Sequence, residues 1–476
     1  MSTRASLGYF FTRALSGGLA VATVSIFARL LGPAGYGHWT LIATIAVLIA
    51  GVLIQPLHSS LARFLPTPGF ADLPATLGRA MAVAGLIGVP VALLLEWLAP
   101  GWLPRGVALA ALVLGLSQGV FDFTAQYLAS TLRTRRYGSL YLGKSLLVLV
   151  AGWLVLRAGG GAWGLLGVFA LAYLIASVLA GSAAWRAVIG GRFDIALLRS
   201  IRGYALPVAF SLFTGVLISW GDRLVLAAYV PPADLGAYAA TGDLTLQGFG
   251  LLFSALYLSW FPRLVSAWEG GRDAAQILFS RYLQLFLLVL TPSAAGFILV
   301  APTLAGVLLG AAYHERATQL MPWFVFTAFA GGVRMYLLEL PLHLTRRLGL
   351  QSVVVAICAA LALLLNLLLV PRYGVLAAAI VAGAVQALGG AACLWAGRGA
   401  LSYRLPWRDV LGVACSVLAM VFAVRSVEGS SWSGLLLQVV TGAVTYAVAV
   451  LAFDVAGLRA GAGRLLVSFR QRRNQG

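Results

Sequence analysis

Apolar residues run along this chain in long unbroken blocks, without the strict alternation of a half-buried strand or the one-sided stripe of a surface helix. Short polar stretches rich in Arg, Gly and Pro separate them. Taking boundaries at those stretches gives fourteen spans: 8–31, 38–60, 77–99, 106–132, 140–157, 162–185, 203–229, 236–261, 278–300, 317–341, 350–370, 374–397, 408–425 and 434–453. About 20 helical residues cross a hydrocarbon core of about 30 Å, so each block predicts a transmembrane helix. The first block is too long for a cleaved signal, and no small-residue cleavage site separates it from the second.

Composition supports this picture. Of 476 residues, 61% are hydrophobic and 10% charged, against about 25% charged in a soluble domain. A cytosolic enzyme is excluded, and no room is left for a large soluble domain. The formal net charge is +19, carried almost wholly by Arg, since Lys144 is the single lysine. Basic residues fall between spans, one to four at a time, which points to topology and away from nucleic acid. With the N-terminus inside, about 24 of the 33 Lys and Arg fall on cytoplasmic segments or helix ends, Lys144 among them, and about six outside. That bias predicts an even number of spans with both termini cytoplasmic. Cys358, Cys393 and Cys415 sit singly in apolar runs and suggest neither a metal site nor a disulfide.

The chain also echoes itself. Pro33-Ala34-Gly35-Tyr36-Gly37-His38-Trp39 follows the first span, and Pro232-Ala233-Asp234-Leu235-Gly236-Ala237-Tyr238 follows the seventh. Trp163-Gly164-Leu165-Leu166-Gly167 similarly matches Tyr373-Gly374-Val375-Leu376-Ala377. The offset covers six helices. Six is even, so the repeats share one orientation and predict two parallel six-helix lobes with a substrate path between them. The expected fold is an all-α polytopic membrane protein of about fourteen transmembrane helices. Its parts are lobes at 1–200 and 201–400, two additional helices at 401–456, and a basic cytoplasmic tail at 457–476.

Charged and polar residues inside the spans are the candidate site, because each costs about 2.5–3.5 kcal/mol to insert at mid-bilayer. Arg13 lies in the first span. Gln118, Asp122, Gln126 and Ser130 follow one another at four-residue steps, on one helical face. Asp222 and Arg223 are adjacent in the seventh span, Asp243 and Gln247 share a face of the eighth, and the tenth holds Arg334, with Glu339 and His343 near its inner end. Arg63 closes the second span. Two readings stand: a wet cationic cavity whose arginines grip an anionic headgroup bidentately, or paired charges that join helices. The histidines (His38, His58, His314, His343) are scattered and read as interfacial or structural. No Walker-type phosphate loop is present. No catalytic residue, cofactor or metal is expected; the chain reads as a transporter and not as an enzyme.

Three stretches carry a family resemblance. Ala28-Arg29-Leu30-Leu31-Gly32-Pro33-Ala34-Gly35-Tyr36-Gly37 resembles the signature that ends the first helix of polysaccharide transporters. Asp222-Arg223-Leu224-Val225-Leu226 with Gly236-Ala237-Tyr238 resembles that family's seventh-helix motif. Asn366-Leu367-Leu368-Leu369-Val370-Pro371-Arg372-Tyr373-Gly374 is similar to a third. One departure is Pro231-Pro232, where Gly-Pro is commoner. Together they place the chain beside the Wzx-like flippases of the multidrug/oligosaccharidyl-lipid/polysaccharide exporter superfamily. The resemblance implies an exporter-type arrangement of lobes in the bacterial inner membrane, turning an undecaprenyl-pyrophosphate-linked glycan from inner to outer leaflet by alternating access. It implies the bilayer, a polymerase and glycosyltransferases as partners, and no nucleic acid. The run Phe11-Thr12-Arg13-Ala14-Leu15 resembles one in lipid II flippases, where the matching arginine lines the cavity. The rivals are an ion-coupled drug/cation antiporter, which wants acids in its binding lobe, and a membrane scaffold.

Overall fold

The computed structural model describes residues 15–98, 104–403, 406–427, 429 and 431–459 in full, and the backbone alone of 3–14. Among these residues the chain is helical and contains no strand. The helices are α1 (Thr3–Leu53), α2 (Gln55–Phe64), α3 (Leu73–Leu98), α4 (Val107–Ser130), α5 (Thr134–Arg157), α6 (Gly161–Ala180), α7 (Ser182–Gly190), α8 (Ile195–Tyr229), α9 (Pro232–Gly270), α10 (Arg272–Leu304), α11 (His314–Val333), α12 (Leu340–Leu344), α13 (Leu348–Ala396), α14 (Trp407–Arg425) and α15 (Trp432–Ala452).

Twelve of the described helices are long and apolar enough to cross a membrane. Two of these are double. α1 breaks at Gly32 (φ 66°, ψ 172°), immediately before Pro33, and α13 breaks at Gly374 (φ 60°, ψ −144°). Glycine enters the left-handed region without a Cβ penalty. Pro33 then suits the first turn of the next helix, where its missing N–H has no partner to lose. Each break separates two membrane-length segments, so the fourteen expected spans are present. Several boundaries differ from expectation. The second span ends at Leu53, and α2 follows it as a separate helix. The tenth begins at His314 and passes through a π-helical turn, Arg334–Leu338, into the short α12. Part of the expected inner loop after α6 is the short helix α7.

By compactness the chain forms two units, Met1–Gln247 with Ser352–Val385, and Gly248–Gln351 with Gln386–Gly476. In the first, Leu61, Leu73, Leu77, Phe123 and Ile201 form one core cluster, and Phe121, Ala125, Leu128, Tyr137, Leu140 and Ala176 another. The connection into α8 is clamped locally. Asp72 accepts from the Arg192 amide at 3.0 Å, Thr76 Oγ1 accepts from the Asp194 amide at 3.1 Å, and Asp194 caps α8 by accepting from the Ala196 amide at 2.7 Å. In the second unit, Val300, Val307, Met420, Val424 and Leu435 pack together, and Val413, Val450 and Val455 make a smaller cluster.

The first echo in the sequence is also a contact. A Cβ added at Gly37 would stand 1.9 Å from the Pro232 carbonyl oxygen, and one added at Gly236 would stand 1.8 Å from the Pro33 carbonyl oxygen. The second segment of α1 and the start of α9 therefore meet backbone to backbone. Such approach is how helices gain packing in lipid, where burial of apolar area no longer drives association.

Candidate functional site

Within the first unit, α1, α4, α6, α8 and α9 enclose a hollow of about 320 Å³. Its charged lining is Arg223 from α8 and Asp243 from α9. Arg223 is 5% exposed, and its Nη2 donates to Asp243 Oδ1 at 2.5 Å. Tyr36 donates its hydroxyl to the other oxygen of Asp243 at 3.0 Å. The guanidinium carbon stands 4.3 Å from the centroid of the Trp220 ring, a cation–π distance. Gln118 and Gln247 supply amides, and Phe27, Tyr36, Trp39, Phe169, Tyr173 and Trp220 supply the aromatic wall.

Asp222, one residue before Arg223, faces a different neighbourhood. It accepts the Tyr238 hydroxyl and the Arg223 amide, the latter at 2.8 Å. It lines a small hollow with Asn366, whose Oδ1 is buried without a partner. One guanidinium thus serves a region holding two carboxylates. A buried charge must be paired to be tolerated, and this pairing uses up the cation that the sequence offered to an anionic ligand.

A second hollow, of about 40 Å³, shares Val47 and Gln118 with the first and adds Gln55, His58 and Asp122. Gln118 and Asp122 line it together from successive turns of α4, and Lys144 from α5 is close enough for its charge to act on the Asp122 carboxylate. The Lys144 ammonium stands 5.8 Å from the Phe121 centroid and 5.7 Å from that of Tyr173. Gln55 Oε1 and His58 Nδ1 are buried with no protein partner.

The second unit holds Arg334, 8% exposed, and Glu339, 3% exposed. The π turn bonds the Glu339 amide to the Arg334 carbonyl at 2.9 Å, a five-residue step that brings the two side chains into an ion pair. Arg334 Nε also donates to Gln386 Oε1 at 2.8 Å, and Gln351 Nε2 donates to Glu339 Oε2 at 2.6 Å. Elsewhere in this unit α10, α14 and α15 border an apolar groove of about 900 Å³, lined by residues such as Leu288, Phe297, Val300, Met420, Val439 and Ala443. Tyr446 turns its hydroxyl away from hydrocarbon onto the Leu288 carbonyl at 2.7 Å.

The sequence-predicted residues are therefore dispersed. Gln118, Arg223, Asp243 and Gln247 meet around one hollow, and Asp122 joins through Gln118. Gln126, on the same helix, bonds Ser130 at 3.3 Å and lines neither of these hollows. Arg63 is exposed in the last turn of α2. Arg334 belongs to its own network in the other unit. The Arg13 side chain lies outside the described residues. Sequence reasoning missed Lys144, which sits ten residues into α5 and not at a helix end; its signal was its being the single lysine. It also missed Gln55, His58 and the aromatic wall.

Among the described residues, helices of membrane-spanning length, a polar hollow in the first unit and an apolar groove in the second define a polytopic membrane protein. Residues 26–318 match the family described as polysaccharide biosynthesis protein, and the chain belongs to that family. Among curated proteins, none matches this chain in sequence. Among solved structures, the fold is similar to the lipid II flippase MurJ in an inward closed conformation, with a TM-score of 0.74, 14% identity, and coverage of 95% of this chain and 99% of that one. It is similar to a multidrug resistance MATE family transporter of the MOP superfamily, facing inward, with a TM-score of 0.59, 14% identity, and coverage of 80% and 94%. A MOP superfamily transporter from Pyrococcus furiosus gives a TM-score of 0.56 at 12% identity, covering 83% and 94%. The chain shares its fold with these three solved structures.

Proposed function

We propose that the protein is a flippase for a lipid-linked oligosaccharide, moving an undecaprenyl-pyrophosphate-linked repeat unit from the cytoplasmic to the periplasmic leaflet of the bacterial inner membrane. The observation that carries this reading is that one chain holds both a buried polar hollow and a long apolar groove. Its substrate is then an amphiphile with a polar head and a hydrocarbon tail. Family membership in polysaccharide biosynthesis and the fold shared with MurJ support it. Two like-oriented lobes, 1–200 and 201–400, alternate access to the head, and the two helices within 401–456 border the path of the tail. Arg13 and Arg63 hold the pyrophosphate as bidentate donors. Gln118, Asp122, Gln126, Asp222, Arg223, Asp243, Gln247 and Arg334 shape or support the polar path. Both termini are cytoplasmic, and a polymerase and glycosyltransferases of the same pathway act before and after it.

A second reading has a specific observation in its favour. Asp243, Asp222 and Asp122 are half-buried acids that each line a hollow, the feature that a cation antiporter needs. The deciding experiment deletes the gene and follows the lipid-linked repeat unit. The flippase reading expects it to accumulate facing the cytoplasm, with surface polysaccharide lost and drug susceptibility unchanged. Normal polysaccharide with raised sensitivity to cationic drugs overturns it in favour of the antiporter.

A further inference from the structure

The hollow of the first unit is polar enough to invite an anionic headgroup, but its electrostatics are wrong for one. Its cation, Arg223, is bound to Asp243 at 2.5 Å, and Asp222 brings a second carboxylate beside it. A diphosphate entering here meets a guanidinium already paired with Asp243, and among the described residues no second cation lines the hollow. Coulomb repulsion between like charges is strongest where water is excluded. A neutral ligand carries no such penalty.

The wall gives the ligand's shape. Trp39 and Phe169 lie with ring centroids 4.6 Å apart and planes inclined by 34°, and Trp220 lines the hollow from α8. Aromatic rings present a negative face to weakly positive C–H groups, which is what the flat side of a pyranose offers. The rim gives its polarity. Gln118 and Gln247 each carry an acceptor and donors, and Asp243 supplies acceptor oxygens. Hydroxyls both donate and accept, so paired amides suit a polyol, whereas a bare cation uses acceptors alone. Past Gln118, the partnerless Gln55 Oε1 and His58 Nδ1 extend the polar track. Buried polar atoms are nearly always satisfied, so these two mark where a hydroxyl or a water belongs. The volume, about 320 Å³, lies at the small end of the about 300–1,000 Å³ range of ligand sites. It suits a short sugar segment.

We propose that this hollow is a saccharide subsite, in which uncharged sugar rings of the lipid-linked glycan lie on Trp220 and Trp39 and are held by Gln118, Gln247 and Asp243, while the pyrophosphate is bound elsewhere. The inference rests on the flippase reading and deepens it, since it places glycan selectivity in these residues. A site built to bond hydroxyls discriminates strongly against a substrate that leaves its polar groups unpaired.

The test compares two substrates in reconstituted vesicles: the undecaprenyl-pyrophosphate-linked repeat unit of the host, and the same lipid pyrophosphate carrying only its first sugar. The ratio of their flipping rates is measured for the wild type, Trp220→Leu, Trp220→Phe, Gln247→Leu and Gln247→Asn. The wild type favours the full unit. Trp220→Leu and Gln247→Leu lower the ratio about tenfold, and Trp220→Phe, which keeps a ring, restores most of it, so that misfolding is separated from lost recognition. An unchanged ratio in both leucine variants overturns the subsite while the flippase reading stands. Absence of wild-type flipping of either lipid overturns that reading instead. Inhibition of the wild type by tetraphenylphosphonium that disappears in Trp220→Leu overturns the saccharide assignment, because the hollow then takes cations.

Discussion

Arg223 and Arg334 look alike from a distance: each is a buried arginine inside a membrane span, and each is paired with one carboxylate. Their surroundings differ. Arg223 reaches from α8 to Asp243 on α9, and the pair stands in the wall of a hollow. Arg334 reaches Glu339 on its own chain segment through a π turn, and Gln386 and Gln351 close the network. The Arg223 pair joins two helices and leaves one side open. The Arg334 pair is local and closed by neutral amides. An embedded charge therefore signals a demand for a partner, and only the geometry of that partner separates a surface a ligand can reach from a staple within the bundle.

The largest effect is expected where the network is closed. Glu339→Ala leaves Arg334 buried without its counter-charge, which costs about 3–5 kcal/mol. The purified variant should melt far earlier than the wild type, and material recovered at low temperature should still flip substrate. Retained thermal stability would break the contrast. A middle-sized effect is expected at the open pair. Asp243→Asn removes the charge and keeps the shape, and Asp222 remains nearby as a substitute, so the stability loss is about 1–3 kcal/mol. Flipping of the full repeat unit in vesicles should nonetheless fall more steeply than stability does. If it instead tracks the melting temperature, Asp243 is a staple as well. The smallest effect is expected for Tyr36→Phe, which deletes a hydrogen bond to Asp243 at the low end of the range for a charged acceptor, about 1.5 kcal/mol, and leaves the ion pair itself intact. It should leave melting nearly unchanged and lower the selectivity ratio slightly. A loss as large as that of Glu339→Ala would mean that Tyr36 holds the fold.

Much of this fold is legible in the sequence because the bilayer enforces it: every span must be a long apolar helix with its backbone bonds satisfied internally. The chain breaks at Gly32-Pro33 and Gly374 are equally visible, since few residues other than glycine take those backbone angles. The π turn at Arg334–Leu338 and the separate α2 are not visible. Both turn on small shifts in backbone bonding that packing selects. At the site, the spacing of Asp243 and Gln247 correctly puts both on one face. The pairing of Arg223 with Asp243 depends on how α8 and α9 cross, which no local pattern carries. Lys144 stands near the start of an apolar run, where snorkelling from a helix end and burial read the same. The aromatic wall is hidden by composition: where 61% of residues are hydrophobic, nothing in spacing separates a tryptophan that faces a ligand from one that faces lipid.

The Gly37 and Gly236 contact has an architectural consequence. Proline carbonyl meets glycine, and glycine meets proline carbonyl, the two ends of one five-residue patch touching the opposite ends of its copy. That reciprocity is the hallmark of an isologous interface, the kind two identical subunits form about a dyad. Here a single polypeptide supplies both sides. Such a junction is self-complementary, so bulk added to either copy pushes against both helices at once, and the two halves of the junction form together or separate together.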